Sequence, residues 1–190
     1  MKAGREKNKS ARGGATRALA EGTAAEQGSS AVVLDETRFR GRFEVKIDPK
    51  GRVSFPPSLR ISQSMVVTNH RMAGRNALHI YTLKEWQRLE ARVGAISLLD
   101  PAVQAFIRFY VSGGQVIELD GQGRLLLPAG LRKFANLESD AVLVGLGDKL
   151  EVWSSTVWEA LFLEMTTGFD QVQAKVANLL SRSDEGEGED

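Results

Sequence analysis

The stretch IDPKGRVSFPPSLR at residues 47–60 returns as LDGQGRLLLPAGLR at residues 119–132, a shift of 72 positions. Each copy has a turn ending in Gly-Arg, then an apolar run, a proline and a final Arg. Asp48 matches Asp120, Gly51 matches Gly123, Arg52 matches Arg124, Leu59 matches Leu131 and Arg60 matches Arg132. Farther on, Leu78 matches Leu150 and Trp86 matches Trp158, while MVVT at 65–68 aligns with VLVG at 142–145 at a shift of 77. An internal duplication limits the architecture before any single motif is read. Each half carries about four short strands, too few to close a core comfortably alone. The expectation is two halves packed about a pseudo-twofold axis, with the repeated turns at related places.

The local pattern supports this plan. RFEVKID alternates Phe43, Val45 and Ile47 with Glu44 and Lys46, as a half-buried strand does. DPKG then reads as a type I turn, with Asp first, Pro second and Gly fourth. RVSF is a second strand, and PPSLR opens a short helix in whose first turn Pro57 loses no needed N–H. MVVT at 65–68 and ALHIYT at 77–82 read as strands around a polar loop. Thr82 and Glu85 form a capping-box pattern ahead of a helix whose stripe is Trp86, Leu89, Val93 and Ile96. Asp100-Pro101 starts a connecting helix that ends at Ser112-Gly113-Gly114. QVIELD, RLLL, AVLVGL and KLEVW repeat the strands, and a last helix begins near Thr156. On it Phe162, Met165, Phe169, Val172, Val176 and Leu179 form a heptad-like seam interrupted by Gly168. Packing of that seam on its own domain is the favoured reading, with contact between subunits as the alternative.

The 190 residues contain no cysteine, which removes a disulfide framework, a thiolate metal site and a Cys nucleophile. His70 and His79 are the only histidines; both read as loop or strand surface, and no metal or other cofactor is expected. No nucleophile elbow, phosphate loop or dinucleotide fingerprint occurs, so no enzyme activity is expected. The net charge of +1 conceals segregation: residues 1–17 carry six basic side chains, and 183–190 carry five acidic ones. Residues 1–37 are small, polar and basic, with no apolar stretch fit for a secretory signal, and read as disordered. The acidic tail beyond Ser183 reads the same way. From 38 to 60, Arg38, Arg40, Arg42, Lys46, Lys50, Arg52 and Arg60 outnumber Glu44 and Asp48, a balance suited to a polyanion, although from charge alone a solvated charged face is the favoured reading.

Asp48 and Asp120 sit where Asp satisfies backbone N–H groups of a turn, so a turn role outweighs paired-carboxylate chemistry. Arg52 and Arg124 follow Gly51 and Gly123 at the strand starts. Each could simply pair with its Asp four residues back. Two copies on a twofold body also have the geometry of a groove reader, because the guanidinium fork matches O6 and N7 of guanine. The readings are compatible if Asp holds the fork. Lys46, Lys50, Arg40 and Arg42 would then serve phosphates. Arg60 and Arg132 read as structural, capping helix carbonyls or pairing with carboxylates.

DPKGRVSFPPSLR, FIRFYVSGG, DGQGRLLLPAGLRKFANL and VLVGLGDKLEVWSSTVW, in this order, resemble the MraZ family, bacterial regulators built from two SpoVT/AbrB-like domains. The resemblance spans about residues 39–165. It implies an α+β, β-dominated fold: a duplicated swapped-hairpin barrel with pseudo-twofold halves and flanking helices. It implies a ring-like homo-oligomer that binds double-stranded DNA at short G-containing direct repeats ahead of the division and cell-wall gene cluster. The family signature Asp-x-x-x-Arg stands here as Asp48–Arg52 and Asp120–Arg124, with the Arg residues as base contacts. Three features depart from the family: the long 1–37 extension, Ser58 where a Lys often stands, and the loop NHRMAGRNA.

The expected organisation is a basic extension (1–37), a first half with its helix (38–96), a connecting helix (97–112), a second half with its helix (113–168), and a helix end with acidic tail (169–190). The expected role is a cytoplasmic, nucleoid-associated DNA-binding regulator with no membrane contact and no small-molecule substrate. The alternatives are an AbrB-like antitoxin or protein-binding module, disfavoured because the tail lacks apolar anchors, and a small barrel enzyme, for which no polar cluster is evident.

Overall fold

The computed structural model describes residues 38–186, with side chains to 182. The extension at 1–37 and the last residues of the acidic tail lie outside it. Eight strands form: β1 (Arg42–Lys46), β2 (Arg52–Ser54), β3 (Ser64–Met72), β4 (Arg75–Thr82), β5 (Gln115–Glu118), β6 (Arg124–Leu126), β7 (Asp140–Gly145) and β8 (Lys149–Ser154). The helices are α1 (Leu83–Gly94), α2 (Pro101–Phe106), α3 (Ala129–Phe134), α4 (Ser155–Thr166) and α5 (Phe169–Gly186). A single 3-10 turn spans Pro57–Leu59, and a π turn at Ile107–Val111 continues α2.

All pairing is antiparallel. Six strands form one sheet in the order β1-β7-β8-β4-β3-β5, and β2 pairs with β6 in a separate ribbon. Exchanging the halves maps each order onto itself. The registers locate the axis: Val53 faces Leu125 in the ribbon, and His79 faces Glu151 in the sheet. Both pairs are related by the repeat shift of 72. The halves are interleaved, since β1 pairs with β7 and β5 with β3. Among the described residues the duplicated swapped-hairpin barrel is not seen closed: the ladder ends at β1 and β5, where each half leaves the edge through its turn to build the ribbon.

The ribbon covers one face of the sheet. Beneath it, Val53, Phe55, Leu125 and Leu127 meet Met65, Val67, Leu78, Ile80, Leu150 and Val152 in one buried core. The opposite face is covered near its centre by α1, the π turn and α4, through Trp86, Tyr110 and Leu161. Thr82 accepts from the Glu85 N–H at 3.2 Å and Asp100 from the Ala102 N–H at 2.7 Å, so both expected caps form. The Glu85 carboxylate bonds Arg88 rather than completing a capping box.

Three sequence expectations change. The loop NHRMAGRNA is a hairpin extension, in which β3 and β4 run to a two-residue turn with Ala73 and Gly74 at φ +49° and +78°, as the favoured hairpin turns require. The equivalence of β3 and β7 is a shift of 76, not 77: Met65 and Val67 share the core face with Ala141 and Leu143. A slip of one residue would have turned every side chain to the other face. Finally, α4 and α5 are separated at Gly168 (φ +78°), and the seam from Phe162 to Leu179 is exposed rather than packed on its own domain. The α5 backbone also runs to Gly186, past the Ser183 at which the sequence suggests disorder.

The axis pair makes the layering testable. Leu125 is fully buried and its neighbour Leu126 is 55% exposed. Leu125→Ala should cost about 2–5 kcal/mol in urea unfolding, and Leu126→Ala within about 0.5 kcal/mol. Equal effects would refute the assignment of the ribbon's inner face.

Candidate nucleic-acid interface

The two turns are built alike, atom for atom. The Gly51 N–H donates to the Asp48 carbonyl at 2.8 Å and the Asp48 N–H to the Arg52 carbonyl at 2.9 Å; the Gly123, Asp120 and Arg124 bonds repeat these at 2.8 and 2.9 Å. Asp48 Oδ1 accepts the N–H groups of Lys50 and Arg52, each at 2.9 Å. Asp120 Oδ1 accepts those of Gln122 and Arg124, each also at 2.9 Å. One carboxylate oxygen thus closes each turn. The other oxygen holds the arginine: Arg52 Nε donates to Asp48 Oδ2 at 2.6 Å and Arg124 Nε to Asp120 Oδ2 at 2.8 Å. Arg124 Nη2 also lies 2.7 Å from Asp120 Oδ2. The Asp–Arg pairing therefore forms in both copies, with Asp as the brace.

The turns also lock each other. The Gly51 carbonyl accepts the Leu127 N–H and the Gly123 carbonyl accepts the Phe55 N–H, each at 3.0 Å. Gly51 adopts φ +87° and Gly123 φ +72°, where glycine is the favoured residue. Space is tight as well: a methyl group on Gly51 would lie 2.5 Å from the Arg132 guanidinium carbon, and one on Gly123 would meet Arg60, so the covering guanidinium would have to move. Arg60 and Arg132 are therefore structural, but not as helix caps or ion pairs. Arg60 Nε donates to the Phe55 carbonyl at 2.7 Å and Arg132 Nε to the Leu127 carbonyl at 3.2 Å, while each guanidinium covers the glycine of the opposite half.

Arg52, Ser54, Arg124 and Leu126 share the outer face of the β2–β6 ribbon, with Val53 and Leu125 beneath. Arg52 and Arg124 are diagonal neighbours there, about 8 Å apart by ribbon geometry. Lys50 is exposed at the tip of the first turn. Lys46, Arg42 and Arg40 belong instead to the β1 edge of the sheet. Lys46 forms an ion pair with Asp140, and the Arg42 guanidinium lies 4.5 Å from the centroid of Phe162, a cation–π stack on α4. The structure thus gathers the turn arginines on one face and separates them from these three.

The sequence reading missed a second constellation. His79, expected at the surface, is buried, and its ring stacks on His70 at 3.7 Å. Both face Glu151 across the sheet. The signal existed: His79 and Glu151 differ by the repeat shift, and residues so related meet where the axis crosses paired strands.

Together the fold and the turns define a class: duplicated, β-rich proteins of two interleaved halves that present matched, Asp-braced arginines on a shared ribbon. The chain belongs to the MraZ family. The description "MraZ protein, putative antitoxin-like" matches residues 38–109 and 111–179. A protein of Acetivibrio thermocellus named "Transcriptional regulator MraZ" is 34% identical over 143 residues, covering 74% of this chain and 98% of its own. Proteins of the same name from Alkaliphilus oremlandii and Desulfitobacterium hafniense are 35% and 36% identical, with the same coverage.

The brace has an acid–base signature. The Arg124 side chain, with the Arg124 and Gln122 N–H groups, holds the Asp120 carboxyl at about 2, below its ordinary 3.8. A carboxyl lowered in the fold contributes stability above its unfolded value and loses it as pH falls through the folded one. Asp120 should therefore titrate near pH 2 by carboxyl NMR, and Arg124→Ala should move it back toward 3.8. An unchanged titration in the variant would remove the brace from the account.

Proposed function

We infer that this protein is a DNA-binding transcriptional regulator whose β2–β6 ribbon enters the major groove. The observation that carries the reading is the pair of Asp-braced arginines on one exposed ribbon face. The major groove admits a two-stranded ribbon, and arginine pairs bidentately with guanine. A span of about 8 Å between Arg52 and Arg124 covers a little over two base-pair steps of about 3.4 Å. Such spacing suits two guanines of one short element. Leu126 on the same face offers an apolar contact of the kind a thymine methyl takes. Lys50 stands beside the ribbon to meet a phosphate. Lys46, Arg42 and Arg40 lie apart at the sheet edge and enter the proposal as phosphate contacts only for DNA that extends past the ribbon, where Lys46 first has to leave Asp140 and Arg42 Phe162.

Short G-containing direct repeats ahead of the division and cell-wall gene cluster are the proposed target, and the nucleoid the proposed location. The fold enters this proposal as a SpoVT/AbrB-like swapped-hairpin body, supported by the interleaved strand order. Self-association, in a ring-like homo-oligomer, is supported by the exposed seam Phe162, Met165, Phe169, Val172, Val176 and Leu179. Repeated sites read by linked subunits gain avidity without new contacts. The same seam favours the second reading, an antitoxin-like module that holds a protein partner. Among the described residues no helix is long and apolar enough to cross a membrane.

A mobility-shift titration on the protein's own upstream region tests the reading. Arg52→Ala and Arg124→Ala should each weaken specific binding by about 1–3 kcal/mol with the fold retained. Parent-like binding by both variants would sink base reading. Binding that barely changes from low to moderate salt would sink the phosphate contribution.

A further inference from the structure

On the sheet face opposite the ribbon, three donor atoms converge at the pseudo-twofold axis. His79 Nε2 lies 3.2 Å from Glu151 Oε1, and His70 Nε2 lies 3.8 Å from the same oxygen. The three ligand atoms all fall within 4.8 Å of one another. Two histidine nitrogens and a carboxylate oxygen at 2.0–2.2 Å from a tetrahedral zinc ion would stand roughly 3.3 Å apart. The His79–Glu151 pair already has that spacing, and the His70 side has to close by at most about 1.5 Å. We propose that His70, His79 and Glu151 form a binding site for one zinc-class divalent cation.

The surroundings orient each donor. His79 Nδ1 is hydrogen-bonded to the Tyr110 hydroxyl, whose partner in turn is the Tyr81 hydroxyl at 2.7 Å. Either tyrosine can be the donor, so this chain can reverse. Without an ion, Tyr110 donates to Nδ1 and the proton on Nε2 faces Glu151. With an ion, Nδ1–H donates to Tyr110, Tyr110 donates to Tyr81, and Nε2 turns its lone pair on the cation. Such an outer partner that sets the tautomer is the usual support of a ligating histidine. Trp153 Nε1–H donates to Glu151 Oε2 at 2.8 Å, which fixes the carboxylate and leaves Oε1 toward the imidazoles.

His70 Nε2 supplies the second independent observation. It is buried and has no hydrogen-bond partner. Such a nitrogen loses solvation without compensation, and a cation shared with Glu151 would repair that. Burial, then the neighbouring His79, holds His70 at about 4, and burial also lowers His79. Burial raises Glu151, but hydrogen bonds from His79 and Trp153 outweigh it and leave a net lowering. The stacked rings splay through χ2, a broad torsion, to bring both lone pairs to one point. The His70 side chain is 18% exposed, giving the ion an entry and leaving a fourth position for water.

The ligands come from β3 and β4 of the first half and β8 of the second. A bound ion would tie the halves together at the axis, where the ribbon does so on the other face. Full-length, tag-free protein stripped with a chelator should take up one zinc per chain by native mass spectrometry and calorimetry. Its melting temperature should rise with zinc, and cobalt substitution should give visible ligand-field bands. His79→Leu and His70→Gln should each weaken zinc binding at least tenfold and abolish the melting shift. His70→Gln alters a part-exposed side chain, so circular dichroism should show it folded even if the buried variant is not. Absence of stoichiometric uptake by the parent chain, or parent-like affinity in His70→Gln, would overturn the site.

Discussion

Every feature of this molecule rests on the interleaving of its two halves. Neither half owns a complete sheet: β1 finds its partner in β7, β5 in β3, and β2 in β6. An unpaired buried strand leaves amide groups without partners at about 1–3 kcal/mol each. Separation of the halves would also open the core between the ribbon and the sheet. The duplication is therefore a folding requirement, since each copy of the segment supplies the backbone bonds that the other lacks.

The same dependence fixes the functional geometry. A turn at the end of a hairpin is ordinarily among the more mobile parts of a protein. Here each turn glycine is bonded to the opposite strand and covered by the opposite arginine, Arg132 on Gly51 and Arg60 on Gly123. The Asp brace then removes much of the remaining rotamer freedom of Arg52 and Arg124. A side chain held this way loses less entropy on binding. What Arg60 and Arg132 contribute is the rigidity of the neighbours they cover, a role that acts without touching a ligand.

Much of this was legible in the sequence. The repeat gave the turns, the Asp–Arg pairing and the twofold relation of the halves. It also contained, unread, the facing of His79 and Glu151. What stayed hidden was long-range. The alignment of β3 with β7 slipped by one residue because MVVT and VLVG are apolar on both faces, and only the pairing partner distinguishes the faces. The hairpin from Asn69 to Ala77 reads as a loop in the sequence because its polar residues mask the alternation, and only the Ala73-Gly74 turn marks it. The packing of Arg60 on a glycine 63 positions away depends on tertiary approach, which no local spacing encodes. The swapped-hairpin barrel is what the family resemblance implies; among the described residues the strand order supports its interleaving but the ladder ends at β1 and β5.

The scaffold is symmetric but what it displays is not. Each arginine commits its Nε to an aspartate oxygen, so the asymmetry lies in the residues around it. The first turn carries Pro49 and Lys50 where the second carries Gly121 and Gln122, and Ser54 stands opposite in role to Leu126. The first end of the ribbon is stiffer and more cationic. A protein with identical ends would match a palindromic element, because site symmetry mirrors protein symmetry. Unequal ends instead distinguish the two orientations of one short element. On the proposed role, one chain would read an oriented sequence, and further chains would read further copies in the same direction. On that proposal, the divergence of the two turns, on a frame that keeps them in register, is what would suit this duplicated fold to direct repeats.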